Sequence, residues 1–161
     1  MKRITLLLAA LLLSLSALAQ NGKSIYQKYS DAEDVSAVYI SPAMFRLIGK
    51  IPDIETGSDK VNLTPVIRSL TGMYILNSEN ASINDQLRSE AERFIKSGNY
   101  ELLMEAKDNG ETVRMYTVGT EKVINGFVML AAEKAEVTFI CLDGQMPRDQ
   151  FEDLVAKQIA D

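Results

Sequence analysis

Followed for hydrophobic period, the chain divides into a leading apolar run, a stretch where strand and helix patterns take turns, and a closing block of alternating strands. The run, from Ile4, follows Lys2 and Arg3, is interrupted by Thr5, Ser14 and Ser16, and ends in Ala17-Leu18-Ala19. It is shorter than the ~20 residues that span a bilayer, and its small-residue ending suits a signal peptidase. Residues 1–19 therefore read as an export signal and residues 20–161 as one domain. No cysteine stands near the cut to take a lipid. The expected location is periplasmic or secreted, without a lipid anchor and without stable membrane insertion after cleavage.

Past the signal, Ile25, Tyr26 and Tyr29 lie at helical spacing in Gly22–Tyr29, which predicts a short leading helix or a loose arm. Val35–Ile40 is β-branched and aromatic, a strand signal, and Ser41-Pro42 then opens a helix with Met44, Leu47 and Ile48 on one stripe up to Gly49. Lys50–Lys60, with proline, glycine and many charges, is a long surface loop. A short helix follows within Val61–Leu70, starting near Thr64, and Gly72–Asn77 is a second strand. Ser82 and Asp85 approximate a capping box for the clearest helix, whose Ile83, Leu87, Ala91, Phe94 and Ile95 share a face until Gly98-Asn99.

Four strands come next, Tyr100–Ala106, Thr112–Val118, Val123–Ala131 and Glu136–Leu142. Asn109-Gly110 joins the first two as a hairpin, Glu133-Lys134 makes the next turn, and Asp143-Gly144 closes the last strand. Pro147 opens a final helix that turns Phe151, Leu154, Val155 and Ile159 inward. The order predicts an α+β two-layer sandwich: about six strands in a mixed, mostly antiparallel sheet, with helices packed on one face. The early strand-helix units imply some parallel pairing and the late meander implies antiparallel pairing.

Composition narrows the chemistry more than the fold. The whole chain carries a net charge of -5, and -7 without the signal, which disfavours nucleic acid and anionic lipid as partners. Histidine is absent, which removes the commonest general base near neutral pH, every Ser-His or Cys-His triad and every histidine-bearing metal site. Carboxylates and lysines remain for acid-base work. Cys141 is the only cysteine, so no internal disulfide forms.

Each candidate site has a plainer explanation. Cys141 lies in VTFICL, apolar on both faces, and is expected to be a buried, inert thiol. Asp53 to Asp59 offers oxygen ligands at alternating places, but glycine in the fifth position and no closing acid depart from a calcium loop, so a solvated turn is expected. Glu90, Glu92 and Arg93, with Arg88 and Lys96, have the spacing of surface pairs such as Arg88–Glu92 and Glu92–Lys96. Glu101 and Glu105 share strand parity with Leu103, yet stand about 13 Å apart, too far for a glycosidase pair. Gly119, Gly126 and Gly144 fit no phosphate or dinucleotide loop, and Gly126 marks a bulge or close approach. Asn62-Leu63-Thr64 and Asn80-Ala81-Ser82 match the glycosylation sequon, but helix-start chemistry accounts for both. The tyrosines Tyr26, Tyr29, Tyr39, Tyr74, Tyr100 and Tyr116 are read as half-buried sheet residues rather than interface anchors. No catalytic, cofactor-binding or metal-binding residue is assigned.

Three separated blocks, YSDAEDVSAVYISPAMFRLIG, LRSEAERFIKSGNYELLMEAKDNGETVRMYTV and VINGFVMLAAEKAEVTFICLDGQM, resemble the small exported proteins of Bacteroidota grouped as domain of unknown function 4252. The resemblance extends over most of Tyr26–Val155, through Tyr29-Ser30-Asp31, Val38–Met44 and Glu101-Leu102-Leu103-Met104. Cys141 stands where the family pattern has a polar residue, which gives no support to a catalytic thiol. The resemblance implies export and names no activity. The resulting expectation is a non-catalytic extracytoplasmic binding or interaction module, whose partner is an envelope protein or surface component. The alternatives are a small carboxylate-dependent hydrolase acting on cell-wall or glycan material, and a structural homo-oligomer paired through strand edges.

Overall fold

The computed structural model describes residues 21–48, 55–56, 61–62 and 64–153. The expected signal, most of the 50–60 loop with its oxygen-rich positions, and Leu154, Val155 and Ile159 lie outside the described residues. The leading segment is a helix, α1 (Gly22–Tyr29), fixed by a reciprocal cap: Asn21 Oδ1 accepts from the Ser24 N–H at 2.8 Å and Ser24 Oγ accepts from the Asn21 N–H at 3.1 Å. Next come β1 (Val35–Ile40), α2 (Pro42–Ile48), the two-residue strands β2 (Glu55–Thr56) and β3 (Val61–Asn62) paired as a small hairpin, and α3 (Thr64–Ser69). β4 (Leu70–Ser78) leads to the long helix α4 (Ala81–Ser97). The meander β5 (Glu101–Asp108), β6 (Glu111–Gly119), β7 (Val123–Ala132) and β8 (Val137–Pro147) follows, and residues 148–153 form α5.

Local chemistry sets these boundaries. Asn80, not Ser82, is the N-cap of α4, its side chain accepting from the Ser82 N–H at 3.0 Å, and Asp85 bonds Arg88 instead of completing a box. Asn109 and Gly110 both have positive φ, 46° and 96°, the geometry of the turn favoured between twisted antiparallel strands. Asp143-Gly144 does not close β8. Both neighbouring strands shift register opposite it, at Leu70/Gly72 and at Ile124/Gly126, so the turn-like pair is absorbed as bulged ladder and the strand continues to Pro147.

The main sheet runs β1-β4-β8-β7-β6-β5, and every ladder in it is antiparallel. The expected parallel pairing is therefore absent. The crossover that implied it exists, since β4 and β5 run the same way, but α4 carries the chain to the far edge and the meander fills the gap between them.

Helices α1 and α4 cover one face of the sheet. Ile25, Leu87, Phe94 and Ile95 meet Leu76, Val128, Leu130 and Phe139 in the larger core, where Phe94 sits edge-on to Phe139 with ring centroids 6.4 Å apart. Among the described residues the opposite face holds a smaller cluster at one end, where Phe45 of α2, Val66 of α3 and Phe151 of α5 pack near Ile40, Met73, Leu142 and Phe127. Within α2 the buried residue is Phe45. Met44 and Leu47, which share the apolar stripe, are 48% and 61% exposed. No described helix is long and apolar enough to cross a membrane.

Candidate functional site

The second face carries the feature that calls for an explanation. Register places Val38, Ile75, Ile140, Met129, Met115 and Met104 in one transverse row, one residue from each of the six strands. None belongs to either core cluster; Val38 is 47% exposed and the rest are partly exposed. The next row, Ser36, Asn77, Thr138, Ala131, Val113 and Ala106, is likewise uncharged and at least partly exposed. With strands ~4.8 Å apart and same-face residues ~6.8 Å apart along a strand, the two rows form a strip about 24 Å long and about 14 Å wide. It is bounded on one side by the α2–α3–α5 cluster. In the second row Asn77 Oδ1 is buried and finds no hydrogen-bond donor.

The covered face gathers the polar chemistry. Cys141 is fully buried beneath the start of α1, where a Cβ on Gly22 would stand 2.3 Å from its Sγ, so glycine is what lets the helix sit down on the thiol. The thiol donates weakly to Asp143 Oδ1 at 3.8 Å, and burial pushes its pKa well up, as expected for an inert cysteine. Asp143 lies between the two bulges, opposite Gly72 on one side and Gly126 on the other. Each glycine makes room for a phenol: an added Cβ would meet the Tyr74 hydroxyl at 2.9 Å and the Tyr100 hydroxyl at 2.6 Å. The close approach foreseen at Gly126 is thus to Tyr100. Burial, then the Asp143 charge, pushes Tyr74 up to about 12, and burial pushes Tyr100 up further. Asp143 itself is pushed up by burial, which the Cys141 thiol only partly offsets.

That direction sets a pH dependence. The folded-state pKa of Asp143 lies above its unfolded value, so ionising it costs folding free energy, and wild-type stability falls as pH rises through the folded value. Asp143→Asn removes the ionisation. The variant is expected to gain on wild type as pH rises from 3 to 7, measured by urea unfolding at each pH. A difference that stays flat or reverses would remove the desolvated acid from the account.

The remaining expected positions separate. The bulge between Leu102 and Met104 breaks the parity that would have put Glu101 and Glu105 on one face: Glu101 pairs opposite Thr117, whereas Glu105 pairs opposite Arg114. Glu105 is held low by Lys107 at 2.8 Å and by Arg114 at 2.6 Å. Glu90, read as a surface charge, is buried and bonded to Lys28 of α1. The pairs formed on α4 are Arg88–Asp85 at 2.9 Å and Arg93–Glu90 at 3.8 Å, while Glu92 reaches Arg114 at 3.7 Å in place of Arg88 or Lys96. Tyr39 and Tyr74 stack at 5.2 Å with Tyr26 tilted beside them, and Tyr100 leans on Phe94 at 5.2 Å, so these tyrosines pack against the fold. Among the described residues no group of three or more acids or cysteines is placed to hold a metal ion.

The family described as Domain of unknown function (DUF4252) is matched over residues 29–154. No curated protein and no solved structure matches the chain.

Proposed function

We propose that this chain, which belongs to the family described as Domain of unknown function (DUF4252), is a non-catalytic extracytoplasmic interaction module that engages its partner through the open strip of the sheet. The uncharged, two-row strip across all six strands is the observation that carries this reading. An apolar sheet face is ordinarily covered by a second layer, and here the described second layer stops at the row of Ile40, Met73, Leu142 and Phe127. Exposed Met44 and Leu47 on α2 extend the same character onto the neighbouring helix. Three methionines in the row add side chains that repack against different surfaces. The reading of residues 1–19 as an export signal favours an encounter in the cell envelope.

The hydrolase alternative draws less support. Asp143 is a desolvated acid, but its neighbours are a thiol and two phenols, and Glu90 is tied to Lys28 rather than poised beside a second free carboxyl. Edge pairing is also poorly served at β5, where a bulge and the charges of Glu101, Glu105, Lys107 and Asp108 discourage a further strand.

A photo-crosslinking amino acid at position 115 tests the interaction reading, with position 92 on the helical side as the control. Irradiation in intact envelopes is expected to give a discrete adduct from position 115 and little from position 92. No adduct, or equal labelling from both positions, would sink the reading.

A further inference from the structure

We propose that the strip is filled by a second copy of this chain, whose α2 end inserts into it; the proposal rests on the interaction reading above and names its partner. Among the described residues of each copy the second layer is half built, with helices at one end and an apolar strip at the other. A two-fold axis lying parallel to the rows turns one copy end over end, so that the helical end of each lies on the strip of the other. The result is a shared helical layer between two sheets, with the same contact made twice.

Size, charge and exposure agree with this arrangement. Neighbouring packed helices stand 8–10 Å apart, so the contacting pair α2 and α3 is about 20 Å across, close to the ~24 Å length of the strip. The strip has a footprint of about 340 Å². Counting strip and helical surface on both copies gives roughly 1,400 Å², within the range of specific interfaces, whereas strip against strip alone gives about half of that. Neither row offers a charge for a charged ligand to pair with, and each copy is net negative, so the attraction has to come from uncharged surface. On α2, Met44 and Leu47 are already turned to solvent, one helical turn apart, and Arg46 is the helix's only charge.

Sedimentation equilibrium over a wide concentration range is the test. Wild type is expected to be a dimer, and Met129→Lys in the strip or Leu47→Asp on α2 is expected to weaken association at least tenfold. Leu47 is so exposed that its substitution leaves folding intact, which circular dichroism checks. Mixing the two monomeric variants is expected to restore a dimer, because one of its two contacts then sets the introduced lysine against the introduced aspartate and the other is unaltered. A strictly monomeric wild type, single variants that dimerise normally, or a mixture that stays monomeric would each overturn the second copy. If a monomeric wild type still gives a position-115 adduct with another envelope protein, the interaction reading survives; if it gives none, both fail.

Discussion

Phe139→Ala is expected to lower the unfolding free energy by about 3–5 kcal/mol, the usual cost of emptying a buried aromatic site. Ile140→Ala, the next residue along β8, is expected to cost only about 1–1.5 kcal/mol, since three carbons leave a partly exposed position. The contrast follows from strand alternation. Phe139 points into the larger core, has no exposed surface and meets Phe94 edge-on, whereas Ile140 points into the strip. Against a total of about 5–15 kcal/mol for a domain, the first loss is a large share and the second a modest one. Urea unfolding at concentrations that keep the chain monomeric measures both. Equal costs would mean that the two faces are equally covered, and the strip would lose its status as a surface.

The same two residues mark how far the sequence could be read. VTFICL is apolar on both faces, which predicts a strand central in the sheet but does not distinguish two covered faces from one covered and one open. Spacing located the elements well: α4 and the β5–β6 hairpin stand where the helical period and Asn109-Gly110 put them. It failed where tertiary contacts decide. Met44 and Leu47 share one apolar stripe, yet Phe45 is the residue buried, because α2 is a single short helix at one end of the sheet and presents little more than one large side chain to it. Asp143-Gly144 has turn composition, yet an extra residue of β4 at Thr71 and an extra residue of β8 itself against β7 are taken up as bulges, and β8 stays in the ladder. A single inserted residue at Leu103 likewise separated Glu101 from Glu105, and no local pattern announces a bulge in an edge strand. One signal for the strip was available: Met104, Met115 and Met129 sit on successive strands, but only register shows that they align.

Lys28→Met is expected to cost about 2 kcal/mol, below the ~3–5 kcal/mol for stripping a partner from a fully buried charge because Lys28 is about half exposed and screened. Its partner is the sensitive member. The Glu90 side chain is only 5% exposed, one oxygen has no hydrogen bond, and Gln86 at 3.2 Å, Arg93 at 3.8 Å and the Tyr29 phenol are among its other neighbours. Burial pushes Glu90 up, but hydrogen bonds from Lys28 and Gln86 outweigh it and hold the carboxyl below its ordinary value. A lowered carboxyl stabilises the fold above its unfolded pKa and loses that contribution as pH falls through the folded one. The Lys28 ammonium is raised, chiefly by its hydrogen bond to Glu90, so its share is present below the usual lysine range and fades as pH rises through the folded value. The deficit of Lys28→Met should therefore be level near neutrality and shrink in acid, as Glu90 takes up a proton and no longer needs a cation. This slope is opposite in sign to that of Asp143, so unfolding curves for the two variants at pH 3, 5 and 7 separate the carboxylate that fastens α1 to α4 from the one whose ionisation opposes folding. A Lys28→Met deficit as large at pH 3 as at pH 7 would show that the loss does not come from pairing the ammonium with the ionised Glu90 carboxylate.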